Sequence, residues 1–244
     1  MTYKWTRTVS WLSLILALGA TIFAFTGMTL ARIDRIEKME GFQMLFLSTP
    51  VAAGALVIAL VALILNWRAR WPAWRAALVG FLFAAGFIGA LALRVALSSA
   101  APMIHDATTD LADVPQFEAI SLPADNLRGL ENEAEWVALH EQAYGDLRSV
   151  LLDRPVDQTI RDAEALARDR GWTIRAVEPE EGRLEATAYA SYLRFEDEVV
   201  LRVRPDGVGR SLVDMRSVSR VGISDLGVNA QRIRDFLEDL AAVR

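Results

Sequence analysis

Residues Thr8–Ala31 read TVSWLSLILALGATIFAFTGMTLA, 24 consecutive residues without a charged side chain. A helix of that length rises about 36 Å, enough to cross the roughly 30 Å hydrocarbon core of a bilayer. Two more charge-free stretches follow, Gly41–Trp67 and Ala76–Leu93. The sequence therefore predicts three transmembrane helices, at about residues 9–31, 43–66 and 72–94.

The first charge-free stretch also has features of a secretory signal peptide. Lys4 and Arg7 precede it, and Thr29-Leu30-Ala31 is loosely similar to a cleavage site. The apolar region of a signal peptide is only about 7 to 15 residues long, so we expect a retained anchor. In the second stretch, Pro50 either kinks the helix or begins it at the first turn, and the sequence leaves both open.

The charges divide the chain at Ala101 into a membrane domain, 1–101, and a soluble domain, 102–244. The first holds nine Lys or Arg and three acidic residues, and the second holds 17 Arg, no Lys and 28 acidic residues. A basic apolar half joined to an acidic half is typical of an anchor that carries a water-soluble domain. The acidic balance disfavours nucleic acid as a partner, and the absence of Cys excludes disulfides and Cys-based zinc sites.

Loop charges predict the orientation of the helices. Lys4 and Arg7, together with the loop between the second and third helices, place five basic residues and no acid on one side. The loop between the first and second helices has three basic and three acidic residues. Because cytoplasmic loops carry the excess of Lys and Arg, we expect a cytoplasmic N-terminus and a soluble domain outside the cytoplasm.

Small residues recur at spacings of four in the predicted spans, for example Ala20 with Ala24 and Ala55 with Ala59. Such faces let helix backbones approach closely, so they predict packing among the three helices or docking onto another membrane protein. No span carries an ionisable residue near its middle, which is the usual mark of a proton or ion pathway. We therefore expect the helices to serve as an anchor and a docking surface in the bilayer.

Residues 102–244 have the length of one domain with its own core. After an extended or irregular start, the apolar spacing predicts helices at Glu131–Tyr144 and about Pro155–Arg170. Four strands are predicted next, at Trp172–Val177, Arg183–Tyr192, Glu198–Arg204 and Ser211–Ser219, followed by a helix at about Gly227–Val243. Short turns imply antiparallel pairing, so we expect an α+β fold, a four-stranded antiparallel meander with flanking helices.

One polar cluster, Ile104-His105-Asp106-Ala107-Thr108-Thr109-Asp110-Leu111-Ala112-Asp113, follows the third span. Imidazole and carboxylate groups at this spacing, from His105, Asp106 and Asp110, can converge on a divalent metal ion. Asp and Thr are equally typical of turns and caps, so a structural loop is the alternative.

A second cluster leads from the last strand into the last helix. Its candidate ligand-binding residues are Arg216, Ser217, Ser219, Arg220, Ser224, Asp225 and Asn229. Two Arg and several hydroxyls beside a helix N-terminus can hold a phosphate or carboxylate. In the structural alternative, Ser224 or Asp225 caps the helix and Arg216 pairs with an acid such as Asp214.

A third cluster, Glu196-Asp197-Glu198, precedes Arg202 and Arg204 on the same strand. Alternation places the two arginines on one face, which favours a lattice of ion pairs with the next strand over acid-base catalysis. The sequence contains no signature of serine hydrolases, P-loop proteins, zinc proteases or dinucleotide-binding folds. His140 lies on a helical pattern and is interpreted as a surface or packing residue.

Three stretches resemble the bacterial family catalogued as domain of unknown function 1499: Pro102–Asp110, Phe195–Arg202 and Asp214–Asn229. The resemblance covers about residues 102–241, and the last stretch is the most specific. Glu198 stands where the family usually has Asp, which keeps the charge and lengthens the side chain. The resemblance implies an envelope or membrane-tethered protein without an assigned reaction. Together with the loop charges, it predicts a multi-pass protein of the bacterial inner membrane whose soluble domain is periplasmic or otherwise extracytoplasmic.

Together these observations predict a non-catalytic accessory or assembly subunit of an envelope or membrane protein complex. We expect no cofactor, the lipid bilayer as its environment and a membrane-protein partner. One alternative is a binding module for an anionic small molecule or lipid headgroup at Arg216, Arg220 and the start of the last helix. The other is a metal-dependent hydrolase that uses His105, Asp106 and Asp110.

Overall fold

A computed structural model of the chain describes residues 2–98 and 101–243. The chain folds into two compact units, the first made mainly of three helices and the second built on a β-sheet. The helices are α1 (Thr2–Arg32), α2 (Lys38–Arg68) and α3 (Trp74–Ser98). All three are long and apolar enough to cross a membrane, which indicates a membrane protein. Pro50 lies inside α2, so it does not begin the helix.

Glycine permits the close packing of the three helices. A Cβ atom on Gly41 of α2 would lie 2.7 Å from the carbonyl oxygen of Gly27 in α1, closer than real Cβ atoms approach. A Cβ atom on Gly80 of α3 would lie 2.9 Å from the backbone nitrogen of Leu14. Packing among the helices, one of the two roles predicted for their small residues, is therefore confirmed.

A buried amide, which the apolar pattern of the sequence does not predict, also connects the helices. Asn66 of α2 donates from Nδ2 to the Ser10 hydroxyl of α1 at 2.9 Å. Its Oδ1 accepts from the backbone N–H of Ala73 at 2.8 Å, in the turn before α3. A polar side chain in an apolar bundle gains most from such internal partners, because lipid offers none.

Within residues 101–243, the second unit has six strands and three helices. In chain order they are β1 (Asp106–Thr108), α4 (Glu133–Tyr144), β2 (Val150–Leu152), α5 (Val156–Asp169), β3 (Thr173–Glu178), β4 (Arg183–Ala190), β5 (Phe195–Pro205), β6 (Ser211–Ser219) and α6 (Val228–Ala242). All strands pair antiparallel, in the order β1-β6-β5-β4-β3, and β2 also pairs with β6. The four consecutive strands of the predicted meander are confirmed, but the predicted number of strands is wrong.

The two missed strands share the outer edge of β6. β1 pairs Asp106 with Val218, and β2 pairs Val150 with Val213. Each has only three residues, which is too short to establish an alternating pattern. β1 also lies within the stretch that was expected to be extended or irregular.

The central strands have two unlike faces. One face carries apolar residues such as Leu201 of β5 and Met215 of β6, which pack with α5 and α6 in the core. The opposite face carries buried polar residues, among them Glu185, Glu198 and Asp214. The segment between β1 and α4 covers this second face, because its backbone and acidic side chains bond to the sheet's polar groups.

Candidate functional site

The β1–β6 pairing joins the two polar clusters that the sequence analysis singled out. The Arg216 guanidinium of β6 forms a bidentate ion pair with the Asp106 carboxylate of β1, with Nε 3.0 Å from Oδ1 and Nη2 2.6 Å from Oδ2. Both side chains are buried, and Nη1 of Arg216 donates to the Pro115 carbonyl at 3.3 Å. A bidentate pair of this kind neutralises both charges. Arg216 therefore pairs with an acid, as the structural alternative predicted, but that acid is Asp106 and not Asp214.

The three predicted metal ligands have different protein partners. The His105 Nε2 atom lies 3.4 Å from Asn126 Oδ1, whereas Asp106 pairs with Arg216. Asp110 lies 3.2 Å from an Arg202 nitrogen, and its Oδ1 accepts from two backbone N–H groups. Across 2–98 and 101–243, no group of three His, Asp or Glu is arranged to hold a metal ion.

Asn229 of α6 is the centre of a buried polar network on the helix side of the sheet. Its Nδ2 donates to the His105 carbonyl and to the Ser219 hydroxyl, both at 2.9 Å. Its Oδ1 accepts from the Ser217 hydroxyl at 2.7 Å and from Arg232. Arg232 in turn pairs with the buried Asp197 at 2.5 Å. The network fixes the start of α6 against β1, β5 and β6.

Asp225 caps the start of α6, as one alternative predicted. Its carboxylate accepts from the backbone N–H of Gly227 at 2.9 Å and of Asn229 at 2.6 Å. Burial raises the pKa of Asp225, and these two N–H groups oppose that rise. The free N–H groups that could have attracted an external anion therefore already bond to a carboxylate of the chain.

The remaining candidates also have partners within the domain. The Ser224 hydroxyl donates to the Pro102 carbonyl at 2.8 Å, which ties the loop to the start of the domain. Arg220 pairs with the buried Glu198, whose other oxygen accepts from the Thr187 hydroxyl at 2.8 Å. The seven predicted ligand-binding residues thus divide between the two faces of the sheet and do not form one pocket.

A cleft of about 720 Å³ opens where β1 and β2 separate along the edge of β6. Its walls come from the end of β1 and the residues after it, from the C-terminal half of α4, and from the chain leading into β2. Arg204 and Leu212 of the sheet complete it. Small-molecule sites typically occupy about 300–1,000 Å³, so the cleft is large enough for an organic ligand.

His140 of α4 lines this cleft and is buried. Its Nε2 accepts from the backbone N–H of Thr108 at 3.0 Å, so in the neutral ring the proton is on Nδ1. Nδ1 has no hydrogen-bond partner among the described residues. Burial lowers the pKa of His140, which favours this neutral form. The ring also packs between Trp136 and Tyr144, in agreement with the predicted packing role.

Residues 106–240 match the family described as "Protein of unknown function (DUF1499)". The chain belongs to this family. The match begins in β1 and ends in α6, so the DUF1499 domain comprises the sheet and its three helices, and the resemblance noted in the sequence is confirmed. Comparison with curated proteins gave no match.

The second face of the DUF1499 sheet carries the predicted ion-pair lattice. Asp214, directly opposite Arg202 on the neighbouring strand, lies 3.1 Å from an Arg202 nitrogen and 2.8 Å from an Arg204 nitrogen. The Ser149 hydroxyl donates to the other oxygen of Asp214 at 2.5 Å. The lattice therefore connects β5 and β6 with the chain leading into β2.

Glu185 is the buried charge in the DUF1499 domain that sequence reasoning missed. Its carboxylate accepts from the consecutive backbone N–H groups of Glu118, Ala119 and Ile120, at 2.7 to 3.1 Å. Such a nest of N–H groups stabilises a negative charge away from water. A single Glu that alternates with apolar strand residues normally faces solvent, so the sequence offered no signal for this role.

Proposed function

We propose that the protein is a membrane-anchored, non-catalytic accessory or assembly subunit of an envelope or membrane protein complex. In this proposal the N-terminus is cytoplasmic in the bacterial inner membrane, and the DUF1499 domain is periplasmic. The orientation depends on the excess of basic residues before α1 and between α2 and α3. The anchor depends on the length and apolar character of the three helices.

The observation that carries the proposal is an apolar ridge, defined here as the exposed side chains of Val221, Ile223, Leu226 and Val228. All four lie on the single connection between β6 and the start of α6. Apolar side chains that are exposed together on one surface are typical of interaction sites, whereas isolated ones are common on any protein. Four exposed apolar side chains within residues 221–228 therefore support this loop as the docking surface of the domain.

The backbone holds the ridge in an unfavourable conformation. Leu226 has φ +58°, in the left-handed region, where a leucine costs about 1–3 kcal/mol. The Asp225 cap and the Ser224–Pro102 hydrogen bond fix the loop on both sides of this residue. A strained, exposed leucine between two fixed residues supports a binding role, because folding alone would favour Asn or Gly there.

The polar groups that could have indicated catalysis instead support one another. Asp106 pairs with Arg216, Asp197 with Arg232 and Glu198 with Arg220. An external anion at Arg216 would have to displace Asp106, and one at Arg220 would compete with Glu198. These internal pairs favour a scaffold over the alternative of an anion-binding module at those two arginines.

Affinity capture from native membranes tests the proposal. The tagged full-length protein is extracted in mild detergent and compared with an Ile223→Ser, Leu226→Asn double variant. We expect a defined set of membrane subunits with the wild type and at least about a tenfold loss with the double variant. Asn tolerates the left-handed conformation, so the second substitution removes the apolar side chain without adding strain.

The matched control is Val208→Ser, which removes a fully exposed apolar residue from the β5–β6 turn, away from the ridge. Its captured set should equal that of the wild type. Recovery of a monodisperse protein without co-purifying subunits would reject the accessory-subunit function. Capture that is unchanged in the double variant would reject the ridge as the docking surface.

A further inference from the structure

The cleft is a consequence of how two short strands share one edge. β1 covers β6 from Arg216 to Val218, and β2 covers it from Ser211 to Val213. Between them, Thr109 bonds to both backbone groups of Met215, accepting with its hydroxyl at 2.9 Å and donating its N–H at 3.0 Å. The chain after β1 and the chain before β2 both turn away from the edge of β6 near this contact, and a cleft remains between them. The C-terminal half of α4 forms its remaining wall.

The unpaired polar atoms of the cleft's side chains are donors. They are His140 Nδ1, Arg204 Nε and the Tyr144 hydroxyl, each buried and without a hydrogen-bond partner in the described chain. Burial and the charge of Asp225 raise the pKa of Tyr144, so its hydroxyl keeps its proton. Buried donors without acceptors are costly. The Tyr144 hydroxyl lies beside the start of α6, where a Cβ atom on Gly227 would be 3.8 Å from it. The unpaired donors of His140 and Arg204 are therefore the ones that favour an acceptor at the cleft from outside the chain.

Charge at the cleft adds to this preference. Arg148 lines the cleft as an exposed side chain, and within the described ranges no carboxylate lies within 4.0 Å of its nitrogens. Two acids also line the cleft. Asp110 is already paired with Arg202 and Arg204, and Glu141 is exposed to solvent on α4. Arg148 Nη1 donates to the Leu147 carbonyl at 2.6 Å, but its positive charge has no carboxylate partner among the described residues.

The size and lining of the cleft restrict its ligand further. A volume of about 720 Å³ is far more than a single phosphate or carboxylate needs. Leu111, Leu147 and Leu212 supply apolar surface beside the donors. The cleft thus combines a donor-rich part with room for an apolar body.

We propose that the cleft between β1 and β2 binds a small organic oxyanion, a carboxylate or phosphate ester with an apolar body. Arg148 supplies positive charge, and His140 donates from Nδ1. The site lies on residues other than the apolar ridge, so this inference goes beyond the proposed function and either can fail without the other.

Calorimetric titration of the purified full-length protein in an uncharged detergent tests the inference, with hexyl phosphate as the probe. We expect saturable binding of one hexyl phosphate per chain. Hexanol, which has the same apolar body without the anion, should bind at least about tenfold more weakly. Hexanoate in place of hexyl phosphate shows whether the site prefers a carboxylate.

Variants connect binding to the named residues. Arg148→Gln should weaken hexyl phosphate binding about tenfold or more, because it removes a charged donor without breaking an ion pair. His140→Gln keeps an acceptor for Thr108 and should weaken binding severalfold. Arg161→Gln, on an exposed part of α5, is the matched control and should bind as the wild type does.

Thermal unfolding of each variant separates loss of the site from loss of the fold. Equal binding of hexanol and hexyl phosphate would overturn the inference, as would unchanged binding by a folded Arg148→Gln variant. Nanodiscs of phosphatidylglycerol and of phosphatidylcholine then identify the source of the anion. Competition by the anionic nanodiscs alone indicates a lipid headgroup, and competition by neither indicates a free small molecule.

Discussion

Asp106 and Arg216 are 110 residues apart in the chain, yet their side chains form a buried two-point ion pair across the β1–β6 edge. Because Arg216 also holds the Pro115 carbonyl, the pair secures the segment that covers the polar face of the sheet. It therefore acts on tertiary structure, and its first measurable effect should be on stability.

Arg216→Ala should lower the free energy of unfolding by about 3–5 kcal/mol, because it leaves the Asp106 carboxylate buried without its countercharge. Chemical denaturation of the full-length protein, followed by Trp fluorescence, measures the change. Arg161→Ala removes an exposed arginine instead and should leave the transition unchanged. A stable Arg216→Ala variant that has lost affinity for an anion would favour the binding-module alternative.

Local patterns in the sequence were enough to predict the three long helices and the four consecutive strands. Apolar runs and apolar–polar alternation are patterns among neighbouring residues, so they can be recognised without any knowledge of tertiary contacts. Strands β1 and β2 could not be predicted in this way. Each has only three residues, too few to show an alternating pattern, and each is stabilised by its pairing with the edge of β6. The pairing of Asp106 with Arg216 depends on that edge and was equally hidden.

The site residues show the same limit. Asp225 could be predicted as a cap because a cap is a local feature, and it proves to be one. His140, by contrast, was expected only to pack or to lie on the surface. Its Nδ1 carries the proton because Nε2 accepts from the Thr108 N–H, and that hydrogen bond is a tertiary contact that sequence periodicity does not reveal.

Asn229 is the second position where a small change should have a large effect. Asn229→Ala removes a hydrogen bond from the His105 carbonyl, from the Ser217 hydroxyl and from the Ser219 hydroxyl, all in the buried network. The carbonyl keeps the Ser219 N–H, and the Ser217 hydroxyl keeps Arg232. Each buried group left unpaired costs about 1–3 kcal/mol. We expect a clearly lower urea midpoint, whereas Gln231→Ala on the exposed side of the same helix should have little effect. Similar midpoints for both variants would contradict a central role for Asn229.

Stability should decrease in mild acid because of His140. Burial lowers its pKa below the usual 6.5, an effect increased by Arg148 and opposed by Asp106, Glu141 and Asp146. As the pH falls below about 6.5, the unfolded chain takes up this proton before the folded chain does. The contribution of neutral His140 is therefore complete above that pH and is lost progressively as the pH falls towards the folded-state pKa.

Thermal unfolding of the wild type and of His140→Gln between pH 7.5 and 5.5 measures this contribution. The glutamine can still accept from Thr108, but it does not titrate. The variant should lose less stability over this range than the wild type. His105, whose pKa is also lowered by burial, is present in both proteins and cancels in the comparison. Parallel decreases would show that His140 is not responsible.

Two glycines of α2 offer a matched test of helix packing in the membrane unit. A Cβ atom on Gly41 would collide with Gly27 of α1, whereas one on Gly54 meets nothing within 4 Å. Gly41→Ala should therefore destabilise the bundle by about 1–3 kcal/mol through overpacking. Gly54→Ala adds the same methyl group to the same helix and should be tolerated. Unfolding in detergent, followed by loss of helical circular dichroism, compares them, and equal stability of the two variants would contradict close α1–α2 packing.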